Sequence, residues 1–357
     1  MSMERRTFLT ALLALASAER LLAGQGAGDT RFGLCTFSCH HLWQAVSARS
    51  AEVPFHDAGG FLEYARALGG DGVQTPLRAD TPQEAEAQVQ QLRRLLEQPR
   101  AYYEAELQLP ATNDGLAAFE DQVALARAAG AKVARTVLLS GRRYEVFHSF
   151  EDFTIALNRA RRSLEMAKPI LEDHELRLAI ENHKDLTLDE FLGLLRECDS
   201  PWIGALVDTG NSMALLEEPH EVVERLSPYA FSVHFKDMAV QSCPDGILLS
   251  EVPLGTGCLD LPRLIGALRS ANPQLVFNLE MATRDPLVIP CLTDRYWASF
   301  EIGRREQLLP AAMAHVAANR PREPVPRVAG RPSDEVLQLE EQLNRRGLRW
   351  LSETFAT

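Results

Sequence analysis

The sequence predicts an α/β protein: a single closed (β/α)8 barrel with a C-terminal helical extension. Three observations carry this reading. Eight short β-rich runs alternate with longer segments of helical period, the pattern that builds a parallel sheet faced by helices. The fifth to eighth runs each end in a polar side chain able to bind a metal, as expected where strand ends converge on one mouth. The 357 residues accommodate one barrel of about 250 residues plus terminal additions. A doubly wound open sheet is the competing architecture. It needs a glycine-rich turn after the first strand to receive phosphate, and Cys39-His40-His41-Leu42-Trp43 has none.

Residues 1–29 stand apart from the fold. An Arg5-Arg6 pair, an Ala/Leu run and Ala16-Ser17-Ala18 have the anatomy of a signal peptide with a small-residue cleavage site. Arg5-Arg6 followed by Thr-Phe-Leu resembles a bacterial twin-arginine signal, which implies export of a folded protein to the periplasm. The apolar run is too short for a stable membrane span. Residues 24–29 read as a spacer.

The barrel is read at residues 30–318. Its strands fall at 32–38, 72–77, 101–107, 132–139, 177–182, 203–208, 231–237 and 275–281. A helical segment around 60–68 separates the first two. The next helix, 81–98, has an acidic start and Arg93-Arg94 near its end, charges that suit the helix dipole. The helix at 117–129 is closed by Gly130. An insertion at 239–259, with Pro244-Asp245-Gly246 and Gly255-Thr256-Gly257, is read as a mobile or hairpin loop over the mouth. Residues 286–300 read as irregular, then helical, and 303–318 as a helix. Residues 319–357 form a proline-rich linker and an amphipathic helix at 334–354, which packs on the barrel or on a second subunit. Self-association is thus left open.

Charge narrows the partners. With 37 basic and 49 acidic residues, the net charge of −12 gives no footprint for nucleic acid. Six cysteines, Cys35, Cys39, Cys198, Cys243, Cys258 and Cys291, lack the paired spacing of a zinc ribbon. A bridge between Cys243 and Cys258 within the insertion is left open.

Glu181, Asp208, His234 and Glu280 close the last four strands. The first two intervals, 27 and 26 residues, fit one β/α repeat each, and the third, 46 residues, fits a repeat enlarged by the insertion. Three carboxylates and an imidazole form a hard O/N donor set suited to one divalent ion: Mn²⁺ as first choice, or Mg²⁺, Co²⁺ or Zn²⁺. Such an ion polarises a sugar carbonyl, acidifies the adjacent C–H and stabilises the resulting enediolate. Glu181 and Glu280 are then the candidate catalytic pair, ligand and proton carrier together. Any one of the four alone is equally read as a helix cap, an ion pair or a rim histidine.

Ala179-Ile180-Glu181-Asn182-His183, Val207-Asp208-Thr209-Gly210-Asn211, Val233-His234-Phe235-Lys236-Asp237 and Leu279-Glu280 resemble the xylose isomerase-like TIM barrels, the sugar phosphate isomerase/epimerase family. The resemblance implies Glu181, Asp208, His234 and Glu280 as metal ligands, with His183, Asn211 and Lys236 facing a small-molecule sugar or keto-sugar. It implies a metal-dependent isomerase or epimerase. Ketohexose epimerases of the family carry a histidine where this chain has Asn211. Asp-Thr-x-Asn with His-x-Lys-Asp is also similar to the 3-oxo-isoapionate decarboxylase branch, so a lyase, decarboxylating a 3-oxo sugar acid or eliminating from a 3-keto-glycoside, is the alternative. A non-catalytic carbohydrate-binding barrel is the third reading. Arg284 is the candidate for gripping substrate oxygens bidentately, with Asp285 beside it. Glu104 and Glu106 share one strand face and line the mouth or an interior ion pair. Arg142, Arg143 and Glu145 read as a solvated loop. His40, His41 and Trp43 form a sugar-facing wall or pack beneath the first loop.

Overall fold

The computed structural model describes residues 30–48, 50 and 53–356; the signal-like segment 1–29 lies outside the described residues. Eleven strands form among them: β1 Phe32–Cys35, β2 Gly72–Gln74, β3 Tyr102–Glu106, β4 Val133–Thr136, β5 Arg177–Glu181, β6 Ile203–Asp208, β7 Ala230–Phe235, β8 Asp237–Cys243, β9 Gly246–Val252, β10 Phe277–Leu279 and β11 Leu287–Ile289. Eight of them close a parallel barrel in the order β1-β10-β7-β6-β5-β4-β3-β2. Several are shorter than their apolar runs. After Cys35, for example, Thr36 Oγ1 bonds the Gln74 carbonyl at 3.2 Å and Thr75 Oγ1 at 3.0 Å, so a side chain replaces the ladder and residues 36–39 coil into a 3-10 turn.

Burial follows the pattern of a sheet covered on both faces. Every residue of β6 is buried, as is β5 beyond Arg177. Helices begin at side-chain caps: Asp57 accepts from Gly60 N, Thr81 from Glu84 N and Ser149 from Asp152 N. The last opens Phe150–Asp173, a helix between β4 and β5. Glu190 Oε2 accepts from Thr187 N at 2.8 Å at the start of Leu188–Cys198. Among the described residues no helix is long and apolar enough to cross a membrane.

The insertion takes the hairpin form, and it is a sheet with its own core. β8 leaves β7 through the single residue Lys236, pairs antiparallel with β9, and β9 takes β11 on its other edge. Met238, Val240, Ile247 and Leu249 are buried beneath it. The Asp237 carboxylate ties its root by accepting four backbone N–H groups, from Met238 (2.9 Å), Gly255 (3.0 Å), Gly257 (2.8 Å) and Leu259 (3.2 Å). Gly257 is required by this approach, since a Cβ there would lie 2.1 Å from Asp237 Oδ1. Cys243 and Cys258 are both free. Cys258 bonds Met238 at the root while Cys243 faces Gly246 at the tip, roughly 17 Å away along the strand and beyond disulfide reach.

The helix Ser333–Phe355 packs on the barrel, over the seam between β1 and β10. Phe355 sits 6.0 Å from the Phe32 ring and 5.2 Å from Phe277. Gly347 permits the contact, because a Cβ there would lie 2.5 Å from Leu279 Cδ2. Buried Glu340 reaches from this helix to accept from His41 N at 2.9 Å and Leu42 N at 3.0 Å, capping the helix His40–Ser47. Burial with those two donors still leaves its carboxyl raised to about 7.

Candidate metal centre

Four adjacent barrel strands, β5, β6, β7 and β10, present Glu181, Asp208, His234 and Glu280 at one end of the cylinder. One ligand atom from each lies within 4.8 Å of all the others. None of the four residues is more than 5% exposed. The local sequence sets each pose. Asn182 extends the ladder past β5, its Nδ2 donating to the Asp208 carbonyl at 3.0 Å and its Oδ1 accepting from Asp208 N at 2.6 Å. Asp208 Oδ1 accepts from Gly210 N at 2.9 Å and Asn211 N at 2.7 Å. Its other oxygen, Oδ2, is buried without a hydrogen bond, 2.7 Å from Lys236 Nζ but poorly aligned with it. Burial raises this carboxyl to about 6, with the Lys236 charge opposing.

His234 is oriented from behind. Its Nε2 meets Gln74 Oε1 at 2.6 Å, and Gln74 Nε2 donates to Glu104 Oε2 at 2.8 Å. Ser232 Oγ and Asn278 Nδ2 donate to the same carboxylate oxygen at 2.6 and 2.9 Å. Because Gln74 turns its NH2 to Glu104, its carbonyl must face the imidazole, which therefore carries hydrogen on Nε2. Nδ1 is left toward the centre, buried and without a hydrogen bond, 2.6 Å from Glu280 Oε2 and 3.7 Å from Glu181 Oε2. Without an ion, burial would lower this imidazole, but the Glu280 and Glu181 charges overcome it and hold it protonated up to about 10.

Cations surround the carboxylates. Arg135 Nε donates to Glu181 Oε2 at 2.8 Å, with Nη2 on the same oxygen, and its Nη1 lies 3.5 Å from Glu106. Asn211 Nδ2 donates to Glu181 Oε1 at 2.9 Å. Lys236 Nζ lies 2.8 Å from Glu280 Oε1 and 3.1 Å from Asn211 Oδ1. Burial alone would raise Glu181 and Glu280, yet Arg135 and Lys236, each with His234, hold them well below the usual carboxylate range. Lys184 Nζ donates to the same Asn211 Oδ1. Burial, then Lys236 and Arg284, lowers the Lys184 ammonium to about 8. This donor set fits a hard divalent cation: three carboxylates and one imidazole converge, and Asp208 Oδ2 and His234 Nδ1, neither of which makes a hydrogen bond, face one another 4.0 Å apart.

The family model for xylose isomerase-like TIM barrels matches residues 62–299. The chain belongs to this family. A stretch of 103 residues is 34% identical to the 3-oxo-isoapionate decarboxylase of Pectobacterium atrosepticum, covering 28% of this chain and only 38% of that relative. Among solved structures, L-ribulose 3-epimerase is similar with a TM-score of 0.51 at 15% identity, over 88% of this chain and 97% of that one. D-psicose 3-epimerase with D-fructose gives 0.51 at 14% identity, over 80% of this chain and 97% of the other. These structural likenesses show the fold.

Within this xylose isomerase-like barrel the candidates fall into groups. Glu181, Asp208, His234, Glu280, Asn211 and Lys236 meet in one cluster. His183 stands beside it, its Nδ1 buried without a partner and its imidazole lowered to about 3 by burial and by Lys184. Arg284 lies at the mouth, but its fork is engaged by Glu251 of β9, with Nε–Oε2 at 3.0 Å and a second bond from Nη2. Asp285 accepts from Val328 N and Ala329 N and anchors the proline-rich segment. Glu104 is interior, held by neutral donors with no cation bound to it, whereas Glu106 is the partner of Arg135. Arg143 corrects the solvated-loop reading. It is 1% exposed, bonded to the Ser299 carbonyl and Glu190, and lies 3.6 Å over the Phe153 ring. Trp43 packs against Phe55 and Phe61, and His41 Nε2 is 2.8 Å from the Thr283 carbonyl. Sequence reasoning missed Gln74, Arg135, Lys184 and Glu251.

Proposed function

We propose that this chain is a divalent-metal-dependent isomerase or epimerase of a keto-sugar or keto-sugar derivative, working through an enediolate. One observation supports this above all: Glu181, Asp208, His234 and Glu280 converge within 4.8 Å, with Asp208 Oδ2 and His234 Nδ1 buried and held by ion pairs alone. One ion held there, Mn²⁺ by preference, supplies Lewis-acid polarisation of a carbonyl and so acidifies the neighbouring C–H. The remaining work falls to side chains. Glu181 and Glu280, ionised at neutral pH, enter from strands separated in the barrel by β6 and β7, so they approach a bound sugar from different sides. One takes the proton from carbon, and the other, once it has taken a proton from solvent, delivers it to the opposite face. Arg135 and Asn211 fix both oxygens of Glu181. Lys236, 2.8 Å from Glu280 Oε1, holds Glu280 ionised and so ready to accept a proton.

A lyase reading uses the same centre and loses CO₂ or a leaving group in place of a proton. The likeness to the decarboxylase and the ammonium groups gathered on Asn211 favour it. NMR in D₂O with a keto-sugar panel separates the two. Deuterium at an otherwise unchanged carbon marks isomerisation or epimerisation, and CO₂ release or a new double bond marks a lyase. Turnover that needs no divalent ion would sink both readings.

A further inference from the structure

Three cations around the centre sit in direct ion pairs. Arg135 is matched by Glu181 and Glu106, Lys236 by Asp208 and Glu280, and Arg284 by Glu251. Lys184 is 3% exposed, and among the described residues no carboxylate lies within ion-pair distance of it. Its hydrogen bond goes to Asn211 Oδ1, a neutral acceptor that it shares with Lys236. A buried ammonium with no adjacent counter-charge is held at a desolvation cost that an arriving anion would offset. Asn211 also bonds Glu181, so Lys184 is one residue removed from the metal-competent cluster.

We propose that Lys184 is a substrate-binding residue for a carboxylate, and hence that the substrate is a keto-sugar acid and not a neutral keto-sugar. The proposal rests on the reading of the cluster as a sugar-binding metal centre. A substrate carboxylate would give Lys184 the direct ion-pair partner that no carboxylate among the described residues provides. Asn211 can yield its Oδ1 to the incoming group, because Lys184 and Lys236 both aim donors at that one point. A phosphate carries about two negative charges and three strong acceptor oxygens, more than the one ammonium of Lys184 would match. Carboxylate docking here also leaves the rest of the sugar directed at Glu181 and Glu280, since Asn211 and Lys236 join the two regions.

The test is calorimetric titration of the Mn²⁺-loaded full chain with matched pairs: D-fructose against D-fructuronate, D-tagatose against D-tagaturonate, and D-fructose 6-phosphate as the phosphate arm. At least one acid should bind about tenfold or more tighter than its neutral partner, and the phosphate no tighter than fructose. Lys184→Met should abolish that preference, while Lys184→Arg should retain part of it. Equal affinity within both pairs, no binding of either acid, a preference for the phosphate, or a Lys184→Met preference equal to wild type would each overturn the assignment. The wild-type comparison stands even if Lys184→Met fails to fold. Binding selectivity is read without turnover, so failure of the proposed reaction, seen as catalysis that survives Glu280→Gln, is distinguishable from failure here.

Discussion

At the residue scale, the cluster is built by what lies behind its four members as much as by the members themselves. Glu280→Gln removes one negative charge and the proposed proton carrier, and solvent-deuterium exchange into a keto-sugar substrate should fall by about 100-fold or more; exchange at the wild-type rate would remove Glu280 from the chemistry. Gln74→Leu leaves all four members in place but releases His234 Nε2 from its acceptor. Divalent-ion affinity should drop about 10- to 100-fold, read by Mn²⁺ titration, and an unchanged affinity would show that the Glu104-Gln74-His234 relay is ornamental. The four members were legible because each closes an apolar run, where polarity at a buried strand end has few explanations. Gln74 and Arg135 were not. Each sits within a strand, and its partner is 160 or 46 residues away, a pairing fixed by barrel closure that leaves no local trace. Lys184 had a weak signal, an ammonium in an otherwise buried run, which the likeness to His183 and Lys236 as substrate-facing residues passed over.

Elements tell the same story one level up. The amphipathic helix Ser333–Phe355 was readable from its period, but its partner was not, because nothing in residues 333–355 says that the seam between β1 and β10 lies bare. Leu351, fully buried in that contact, predicts its own measure: Leu351→Ala should cost about 2–5 kcal/mol in chemical denaturation, against under 0.5 kcal/mol if the helix were a loose appendage. Glu340 adds a pH dependence. Its carboxyl titrates near 7 in the folded chain against about 4.5 unfolded, so the folded state holds the extra proton between those values. This contribution to stability is present at pH 4.5 and is lost as pH rises through 7. Glu340→Gln should therefore flatten the decline in unfolding free energy between about pH 5 and 8, and an identical slope in the variant would exclude Glu340 as its source. The insertion shows the opposite limit. Its turn signals pointed to a hairpin, but β11 lies some 35 residues beyond β9, and only the pairing of Leu287–Ile289 turns the hairpin into a sheet that carries Glu251 to the mouth.

For the whole molecule, an ion at this centre crosslinks β5, β6, β7 and β10, half of the barrel wall. Binding to the folded chain alone then raises its stability by mass action, by about 2.7 kcal/mol at an ion concentration 100 times Kd. EDTA should lower the midpoint of thermal unfolding, Mn²⁺ should restore it, and a His234→Leu variant should ignore both. The same ion is the claim on which the chemistry depends, and its position can be seen directly. Anomalous diffraction from crystals grown with Mn²⁺ should show one peak per chain, about 2.1 Å from an oxygen of Glu181, Asp208 and Glu280 and from Nδ1 of His234. A map without that peak, or with manganese bound only elsewhere, would contradict the account.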